Sequence, residues 1–392
     1  MSVSELPAVA SRIDKKLADI DARVDWLYYL SPCDNDGMWQ RFQESDYTVN
    51  PVMWYPEIPD NFCEIKEALQ NLPIDDVEDP SLHALFYEKR MELELQVDLV
   101  MMRESRGFMA ISVELFGEAE PSLVHSARQI LNEVPIVSGP ASDANCADIV
   151  TAADKEINAY RAEVPDMASR VEVMEDLNSM MMVHHGHLKV AQSVKLPSAR
   201  ISPLIAHEVG THVVTRYNGR CQPIQLLEHG LAHYDPLQEG LGTLAEYLAG
   251  YLPPRRLRVI AARVIATELA LKRQSVKEIF HELHDEYHLP AEDAFDVAVR
   301  ACRGGGLTKD SVYLRGLREL LAYLADGGDI EFLFLGKFAM GQRMLIKELL
   351  NQGWLLPPRI IPHHLRGERG RERVKQVRNV KLEQLFQLEP ML

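Results

Sequence analysis

The stretch Ala206-His207-Glu208-Val209-Gly210-Thr211-His212-Val213-Val214 places one glutamate between two histidines in an apolar frame. A neutral imidazole offers a lone pair to a metal ion near neutral pH, and a carboxylate beside the first histidine can act on a water molecule at that ion. The stretch therefore predicts a metal site with its own general base. His207 and His212 are the candidate ligands, and Glu208 is the candidate base.

The spacing of the two histidines is one residue longer than in the familiar His-Glu-x-x-His pattern of zinc peptidases. In a regular α-helix, side chains five positions apart point about 140° apart, so both rings cannot reach one ion. One inserted residue, carried as a π-bulge, returns the rings to one face, and Gly210 lies where that distortion costs least. We therefore predict a widened helix within about 198–215.

A catalytic zinc site needs a third protein ligand and an open position. The downstream candidates are His229, His233, Asp235, Glu239 and Glu246. An Asp at the N-cap, a Pro at N1 and a Gln at N3 in 235–238 predict the start of a helix that carries Glu239 in its first turn. We favour Glu239 and keep His233 as the alternative. Gly240 and Gly242 would let the two helices approach closely.

These four residues together predict amide hydrolysis. A metal held by His207, His212 and Glu239 polarises the carbonyl under attack. Glu208 would take a proton from the attacking water and deliver it to the leaving amine. Two alternatives stay open: a regulatory or binding protein with a structural metal, and an endopeptidase or amidase that uses the same ion.

A second feature is the glycine-rich segment from Arg300 to Arg315, in which Gly304, Gly305 and Gly306 precede a predicted helix capped by Thr308. Exposed backbone donors close to cations favour anion binding. The segment lacks the Gly-x-x-x-x-Gly-Lys-Ser/Thr pattern of a phosphate-binding loop, so the terminal carboxylate of a peptide suits it better. The alternative is a tight turn between helices with surface charges.

Composition limits the classes of function. The chain has 392 residues and a net charge of −16, which argues against a nucleic-acid-binding protein. The N-terminal residues show no secretory signal, and no apolar run suggests a membrane span. Five dispersed cysteines are typical of reduced thiols, so we expect a cytoplasmic protein. They are Cys33, Cys63, Cys146, Cys221 and Cys302.

The pattern of apolar residues divides the chain into three regions: a helical N-terminal region (1–165), a catalytic domain (166–355) and a Pro-rich, basic C-terminal tail (356–392). Alternating residues around Gly186 predict a β-strand or a β-hairpin at 180–191, directly before the histidine-bearing helix. The fold class is therefore α+β and predominantly helical, with a small antiparallel or mixed sheet. We expect the tail to be solvated, with contact to an anionic partner as the alternative.

Four motifs together carry a family resemblance. They are His-Glu-Val-Gly-Thr-His (207–212), Asn218-Gly219 with Gln222-Pro223, Gln238-Glu239-Gly240-Leu241, and the segment from Arg303 to Gly316. This combination resembles the bacterial flavohaemoglobin expression-modulating proteins with the QEGLA motif. Those proteins are similar to the microtubule-associated tyrosine carboxypeptidases, which remove the C-terminal tyrosine of tubulin. Gly242 stands where the motif has Ala.

The resemblance implies a zincin-like metallopeptidase, with one zinc ion on His207, His212 and Glu239 and with Glu208 as the catalytic glutamate. The ligand set and the glycine-rich segment together predict a metallocarboxypeptidase. By analogy with zincins, we expect 188–196 to be an edge strand that pairs with the substrate. The candidate contacts to the substrate carboxylate or oxyanion are Arg303, Lys309, Tyr313 and Arg315. The expected partner is the C-terminus of a peptide or protein, with no nucleic acid, no membrane and no indication of tubulin binding.

Overall fold

The computed structural model describes residues 5–175, 177 and 179–391. Helices make up 62% of it and strands 4%, which confirms the prediction of a predominantly helical α+β protein. A large hydrophobic core extends from the first helix to the C-terminal segment, and includes Ile13, Leu244 and Leu385. Within the described residues, no helix combines the length and the apolar character that crossing a bilayer requires.

The N-terminal region is helical, as predicted. Its helices are α1 (Ala8–Asp21), α2 (Trp26–Leu30), α3 (Asn35–Glu44), α4 (Phe62–Gln70), α5 (Pro80–Met101), α6 (Phe108–Phe116), α7 (Pro121–Glu133) and α8 (Cys146–Glu163). Side-chain caps fix the starts of two of them. Asp79 accepts hydrogen bonds from the backbone N–H groups of Ser81 and Leu82 at the start of α5, and Asn145 and Asp148 form a capping box at α8.

Two small sheets precede the histidine-bearing helix. Their strands are β1 (Ala144–Asn145), β2 (Val171–Met174), β3 (Met181–His184), β4 (His187–Ala191) and β5 (Lys195–Leu196). Of the two predicted forms, a strand or a hairpin, the structure has the hairpin: β3 and β4 pair antiparallel, and His185 and Gly186 adopt the positive φ angles of a tight turn. On its other side, β4 pairs in parallel with β2. β1 and β5 form the second sheet, an antiparallel pair.

The expectation that 188–196 is an edge strand is wrong. β4 lies in the centre of its sheet, with the order β2-β4-β3, and β5 is paired with β1. The hairpin signal is local, whereas the parallel partner β2 is contributed by a segment further back in the chain. The edges of the three-stranded sheet are β2 and β3, and β3 contacts the histidine-bearing segment.

The remaining helices follow the sheets. They are α9 (Ile201–His207), α10 (Val214–Arg220), α11 (Leu226–His229), α12 (Asp235–Ala249), α13 (Pro254–Leu271), α14 (Val276–His281), α15 (Ala291–Cys302), α16 (Val312–Ala325), α17 (Arg343–Asn351) and α18 (Gly367–Val377). A π-helical turn, Glu208–Val213, joins α9 to α10. A second π-helical turn, Glu282–Glu286, follows α14. Helix α12 packs against α9, the first π-turn and α16.

Glycines allow α12 to approach its neighbours closely. A Cβ atom on Gly316 in α16 would lie 1.6 Å from the carbonyl oxygen of Pro236, and one on Gly240 would lie 2.7 Å from the backbone of Gly316. A Cβ atom on Gly242 would lie 2.6 Å from Nε2 of His207. The two glycines of α12 therefore face different neighbours: Gly240 faces the backbone of α16, and Gly242 faces a candidate ligand ring.

The C-terminal segment, 356–391, packs against the rest of the protein, so the expectation of a solvated tail is wrong. Leu365, Val377 and Leu385 are fully or almost fully buried. The charged residues of this segment had suggested solvation, but the three apolar side chains lie between those residues in sequence and are part of the core. The side-chain amide of Asn218 in α10 also donates to the carbonyl oxygen of Ile360 and accepts from its N–H. The three-region division itself stays a prediction.

Candidate metal centre

The helix that carries the two histidines is widened where their spacing predicts it. His207 ends α9, and His212 lies in the π-turn Glu208–Val213, which contains Gly210. A π-helix closes its hydrogen bonds between residues five apart, so side chains at that spacing lie near the same face. The two ring centroids are 5.0 Å apart. The extra residue in the motif is therefore absorbed by the backbone, and the rings converge.

Glu239 completes the group. One nitrogen of each histidine and one carboxylate oxygen of Glu239 all lie within 4.8 Å of one another, and His207 Nε2 is 3.8 Å from Glu239 Oε2. Two imidazoles and one carboxylate are a common three-ligand set for a divalent ion with an open position. His233, the alternative ligand, lies outside this group, with its exposed ring 3.9 Å from Glu92.

Helix α12 also holds the far nitrogen of each ring. Nδ1 of His207 donates to Glu246 Oε1 at 2.9 Å, and Nδ1 of His212 donates to Gln238 Oε1 at 3.4 Å. When the rings are neutral, these bonds favour the tautomer that has its proton on Nδ1 and the lone pair on Nε2. Helix α12 therefore provides the third candidate ligand and also the two hydrogen-bond acceptors that orient the histidine rings.

Glu246 is the buried residue that fixes the orientation of the His207 ring. Its side chain is fully buried, and Oε2 accepts a hydrogen bond from Arg200 Nη2 at 2.6 Å. Arg256 Nε lies 3.4 Å from Oε1. Burial alone would raise the pKa of Glu246, but the two guanidinium groups and His207 hold that pKa well below its usual range. The sequence had offered Glu246 only as a candidate ligand. Its position seven residues after Glu239, on the same helix face, was the available signal.

Replacing Glu246 with glutamine is expected to weaken zinc binding by about 10- to 100-fold. The variant loses the negative charge that orients the His207 ring and makes its Nε2 a stronger metal ligand. Zinc affinity can be measured by competition with a chromogenic chelator. Glu348→Gln on α17 serves as the control, since this exposed side chain lies on a different helix from the ligands and their partners. An unchanged zinc affinity of the Glu246→Gln variant would show that Glu246 does not support the ligand.

The two candidate ligand rings differ in their electrostatics. Burial lowers the pKa of His207, but the hydrogen bond to Glu246 and the charges of the nearby glutamates outweigh burial, so this pKa is raised. Burial and the neighbouring His207 lower the pKa of His212 well below its usual value, so the ring keeps its lone pair. Burial also raises the pKa of Glu208 to about 7; His207 opposes this rise, and Glu239 adds to it. A carboxyl group with a pKa near neutrality can both accept and return a proton.

The glycine-rich segment lies beside this group, but three of its cations have internal partners. Arg300 donates to the carboxylate of Asp310. Lys309 Nζ pairs with Asp235 Oδ1 at 2.8 Å. The guanidinium group of Arg315 donates to the carbonyl oxygens of Phe116 and Glu118, at 2.5 and 2.7 Å. These side chains therefore fix parts of the protein to each other in this structure.

Two caps expected from the sequence are wrong. The N-cap of α12 is Tyr234, and the carboxylate of Asp235 accepts a hydrogen bond from Lys309. Helix α16 begins after a short 3-10 turn, and the hydroxyl group of Thr308 donates to the carbonyl oxygen of Ser112. In both cases the polar side chain forms a hydrogen bond with a residue distant in sequence and does not cap the helix that the local pattern had indicated.

Tyr313 and Arg303 each have a polar group without a hydrogen-bond partner among the described residues. Burial raises the pKa of Tyr313, and the charge of Glu239 raises it further. Within the described residues its hydroxyl group has no hydrogen-bond partner, while Arg263 stacks over its ring at 4.5 Å. Arg303 is 5% exposed, and its Nε lacks a partner in the described part of the chain. Its Nη2 is 3.9 Å from Asp310.

The fold and this group define a predominantly helical α+β protein with a candidate mononuclear metal centre. The family described as microtubule-associated tyrosine carboxypeptidase matches residues 40–381, and the chain belongs to this family. The match confirms the resemblance drawn from the four sequence motifs. No curated protein matches the chain. Membership of the family implies an enzyme of the peptidase class, with carboxypeptidase-like activity.

Proposed function

We propose that the protein is a zinc-dependent metallocarboxypeptidase that hydrolyses the C-terminal peptide bond of its substrate. The observation that carries this proposal is the convergence of His207, His212 and Glu239 within 4.8 Å, beside Glu208 in the same π-turn. Two imidazole nitrogens and one carboxylate oxygen suit zinc, and three protein ligands leave a position open for chemistry.

The roles of the residues follow from their positions. His207 and His212 would hold zinc through Nε2, and Glu239 through its carboxylate; when bound, the ion supplies a Lewis acid for the scissile carbonyl group. The carboxylate of Glu208 takes a proton from the attacking water and delivers it to the leaving amine nitrogen. The hydroxyl group of Tyr313 donates a hydrogen bond to the carbonyl oxygen as negative charge develops there.

The predicted substrate contacts divide into two kinds. Tyr313 and Arg303 keep polar groups without a partner in the described residues, which supports direct contact with the substrate. Lys309 and Arg315 are engaged with Asp235 and with backbone carbonyl oxygens. We propose that these two fix the walls of the site and contact the substrate only if they exchange those partners.

The expected substrate is the C-terminus of a peptide or protein. The family's name refers to microtubules, but a chain with a net charge of −16 has no electrostatic reason to approach an acidic microtubule surface. The same charge argues against nucleic acid as a partner. We therefore propose the C-terminus of a cytoplasmic peptide or protein as the substrate, with neither membrane nor nucleic acid involved and with no indication of tubulin binding.

A panel of matched peptides with free and amidated C-termini tests the proposed function. We expect the zinc-loaded protein to release the last residue of the free acids and to lose activity on the amides, because a carboxypeptidase recognises the terminal carboxylate. Mass spectrometry of the products identifies the bond that is cut. Internal cleavage of both series would favour an endopeptidase. Bound zinc without any hydrolysis would favour a structural metal in a regulatory or binding protein.

A further inference from the structure

Two buried arginines have guanidinium nitrogens without a hydrogen-bond partner. Arg263 lies in α13 and is 9% exposed, and Arg303 opens the glycine-rich turn after α15 and is 5% exposed. Nε and Nη1 of Arg263 and Nε of Arg303 are enclosed and have no partner among the described residues. A buried donor without an acceptor costs free energy, so these groups call for a ligand that accepts hydrogen bonds.

The charges around these two side chains do not balance. In the described part of the chain, Asp310 is the one carboxylate within ion-pair distance of either arginine. Arg300 already donates hydrogen bonds to both oxygens of Asp310. Arg263 Nε and Arg303 Nη2 each lie 3.9 Å from that carboxylate, beyond hydrogen-bond distance. Three guanidinium groups thus share one carboxylate, and the excess positive charge favours an anion.

The ring of Tyr313 holds the guanidinium group of Arg263 in place. Cζ of Arg263 lies over this ring, 4.5 Å from its centroid. A planar guanidinium group in a fixed orientation can donate two parallel hydrogen bonds to the oxygens of a carboxylate. The side chains of Arg263 and Arg303 are 10% and 6% exposed, so the pair is enclosed but not sealed from solvent.

Contacts of α13 connect Arg263 with the candidate metal centre. Arg256, near the start of α13, has its Nε 3.4 Å from Glu246 Oε1, the atom that accepts the hydrogen bond from His207. Arg263 follows seven residues later, which is two turns and about 10 Å along the same face of the helix. One face of α13 therefore runs from the partner of a candidate ligand to Arg263.

The crossing of α12 and α16 gives a second, independent connection. A Cβ atom on Gly316 would lie 1.6 Å from the carbonyl oxygen of Pro236, and one on Gly240 would lie 2.7 Å from the backbone of Gly316. Glu239 directly precedes Gly240, and Tyr313 lies three residues before Gly316 in α16. The candidate ligand and the ring that Arg263 covers are thus both within one helical turn of this crossing.

We infer that Arg263, together with Arg303, binds the C-terminal carboxylate of the peptide substrate. This assignment rests on the proposed carboxypeptidase function and adds a residue from a helix to which the sequence assigned no role. The terminal carboxylate lies only one residue, about 3.8 Å of backbone, beyond the scissile bond, so its binding residues must adjoin the metal group. Lys309 and Arg315 are less suited, since their donors already have partners.

The test uses zinc-loaded Glu208→Gln protein, so that binding is measured without hydrolysis. A short acetylated peptide ending in tyrosine, as the free acid and as the amide, is titrated by calorimetry. We expect the free acid to bind more tightly, and Arg263→Gln in this background to reduce that preference by roughly 10- to 100-fold. Arg263→Lys keeps the charge but not the planar fork, so it should retain part of the preference. Arg255→Gln, at an exposed arginine of α13, is the matched control.

The outcomes separate this inference from the proposed function. An unchanged preference in Arg263→Gln, or no binding of either peptide by the parent protein, overturns the assignment. Equal binding of acid and amide, with binding of acetate that Arg263→Gln abolishes, would assign the site to a free carboxylate and not to the substrate. Hydrolysis of free-acid peptides by the protein with Glu208 intact tests the proposed function by itself.

A structural role of Arg263 is tested by heat denaturation and by zinc content on the same samples. Arg263→Gln should keep its zinc and be about as stable as the parent protein, because the change removes a buried charge whose Nε and Nη1 have no hydrogen-bond partner among the described residues. A large loss of stability or of zinc, together with weaker binding of both the acid and the amide, would mark Arg263 as structural and overturn its assignment to the substrate.

Discussion

Replacing Glu208 with glutamine is expected to lower kcat for peptide hydrolysis by about 10²- to 10⁴-fold while zinc remains bound. Glutamine has nearly the same shape as glutamate but cannot take a proton from water at neutral pH. Glu208 is not a member of the group of three candidate ligands, so its substitution leaves the ligand set complete. The measurement is kcat on a free-acid peptide, with zinc content determined on the same sample.

The second π-turn offers a matched control for Glu208. Glu286→Gln changes an exposed glutamate at the end of Glu282–Glu286, in a similar backbone but away from the candidate ligands. This variant should keep wild-type activity. Retained turnover in Glu208→Gln would remove the role of general base. Loss of activity together with loss of zinc would instead assign Glu208 to the support of the metal.

Substitution of any one of the three candidate ligands by alanine is expected to abolish stoichiometric zinc binding and peptide hydrolysis. The variants are His207→Ala, His212→Ala and Glu239→Ala. A site with three protein ligands keeps only two after such a change, so the loss of affinity should exceed the 10- to 100-fold expected for an orienting partner. Metal analysis after dialysis against a metal-free buffer gives the zinc content of each variant and of the wild type.

His233→Ala is the control that the sequence itself supplies. His233 was the alternative third ligand, and its exposed side chain lies outside the converging group. This variant should keep one zinc ion per chain. If His233→Ala loses zinc while Glu239→Ala keeps it, the third ligand is misassigned. If the wild type binds no stoichiometric zinc, or His207→Ala binds as much as the wild type, the whole site is misassigned.

Part of the site could be predicted because its signals are local. Five-residue spacing between His207 and His212 is incompatible with a regular helix and one shared ion, so it required the π-turn that the structure contains. The Pro near the start of α12 and the turn at Gly186 likewise act within a few residues. Such signals depend on backbone sterics and helix geometry, which the sequence expresses directly.

Other features could not be predicted, because residues distant in sequence create them. Asp235 and Thr308 have the side chains of helix caps, yet Lys309 and Ser112 bind them. The basic C-terminal segment resembles a solvated tail by its charge, yet Leu385 is buried in the core. In each case a tertiary contact replaces the interaction that the local pattern favours, and composition does not reveal which partner is near.

The sequence by itself determined the class of fold, the widened helix, the three converging residues and the family. Only the tertiary structure decided that Glu246 and Gln238 orient the two rings, and that Lys309 and Arg315 have internal partners. The physical reason is the range of the interactions. Helix geometry is fixed over a few residues, whereas the pairing of charges depends on which helices pack together and which carboxylates are already bound.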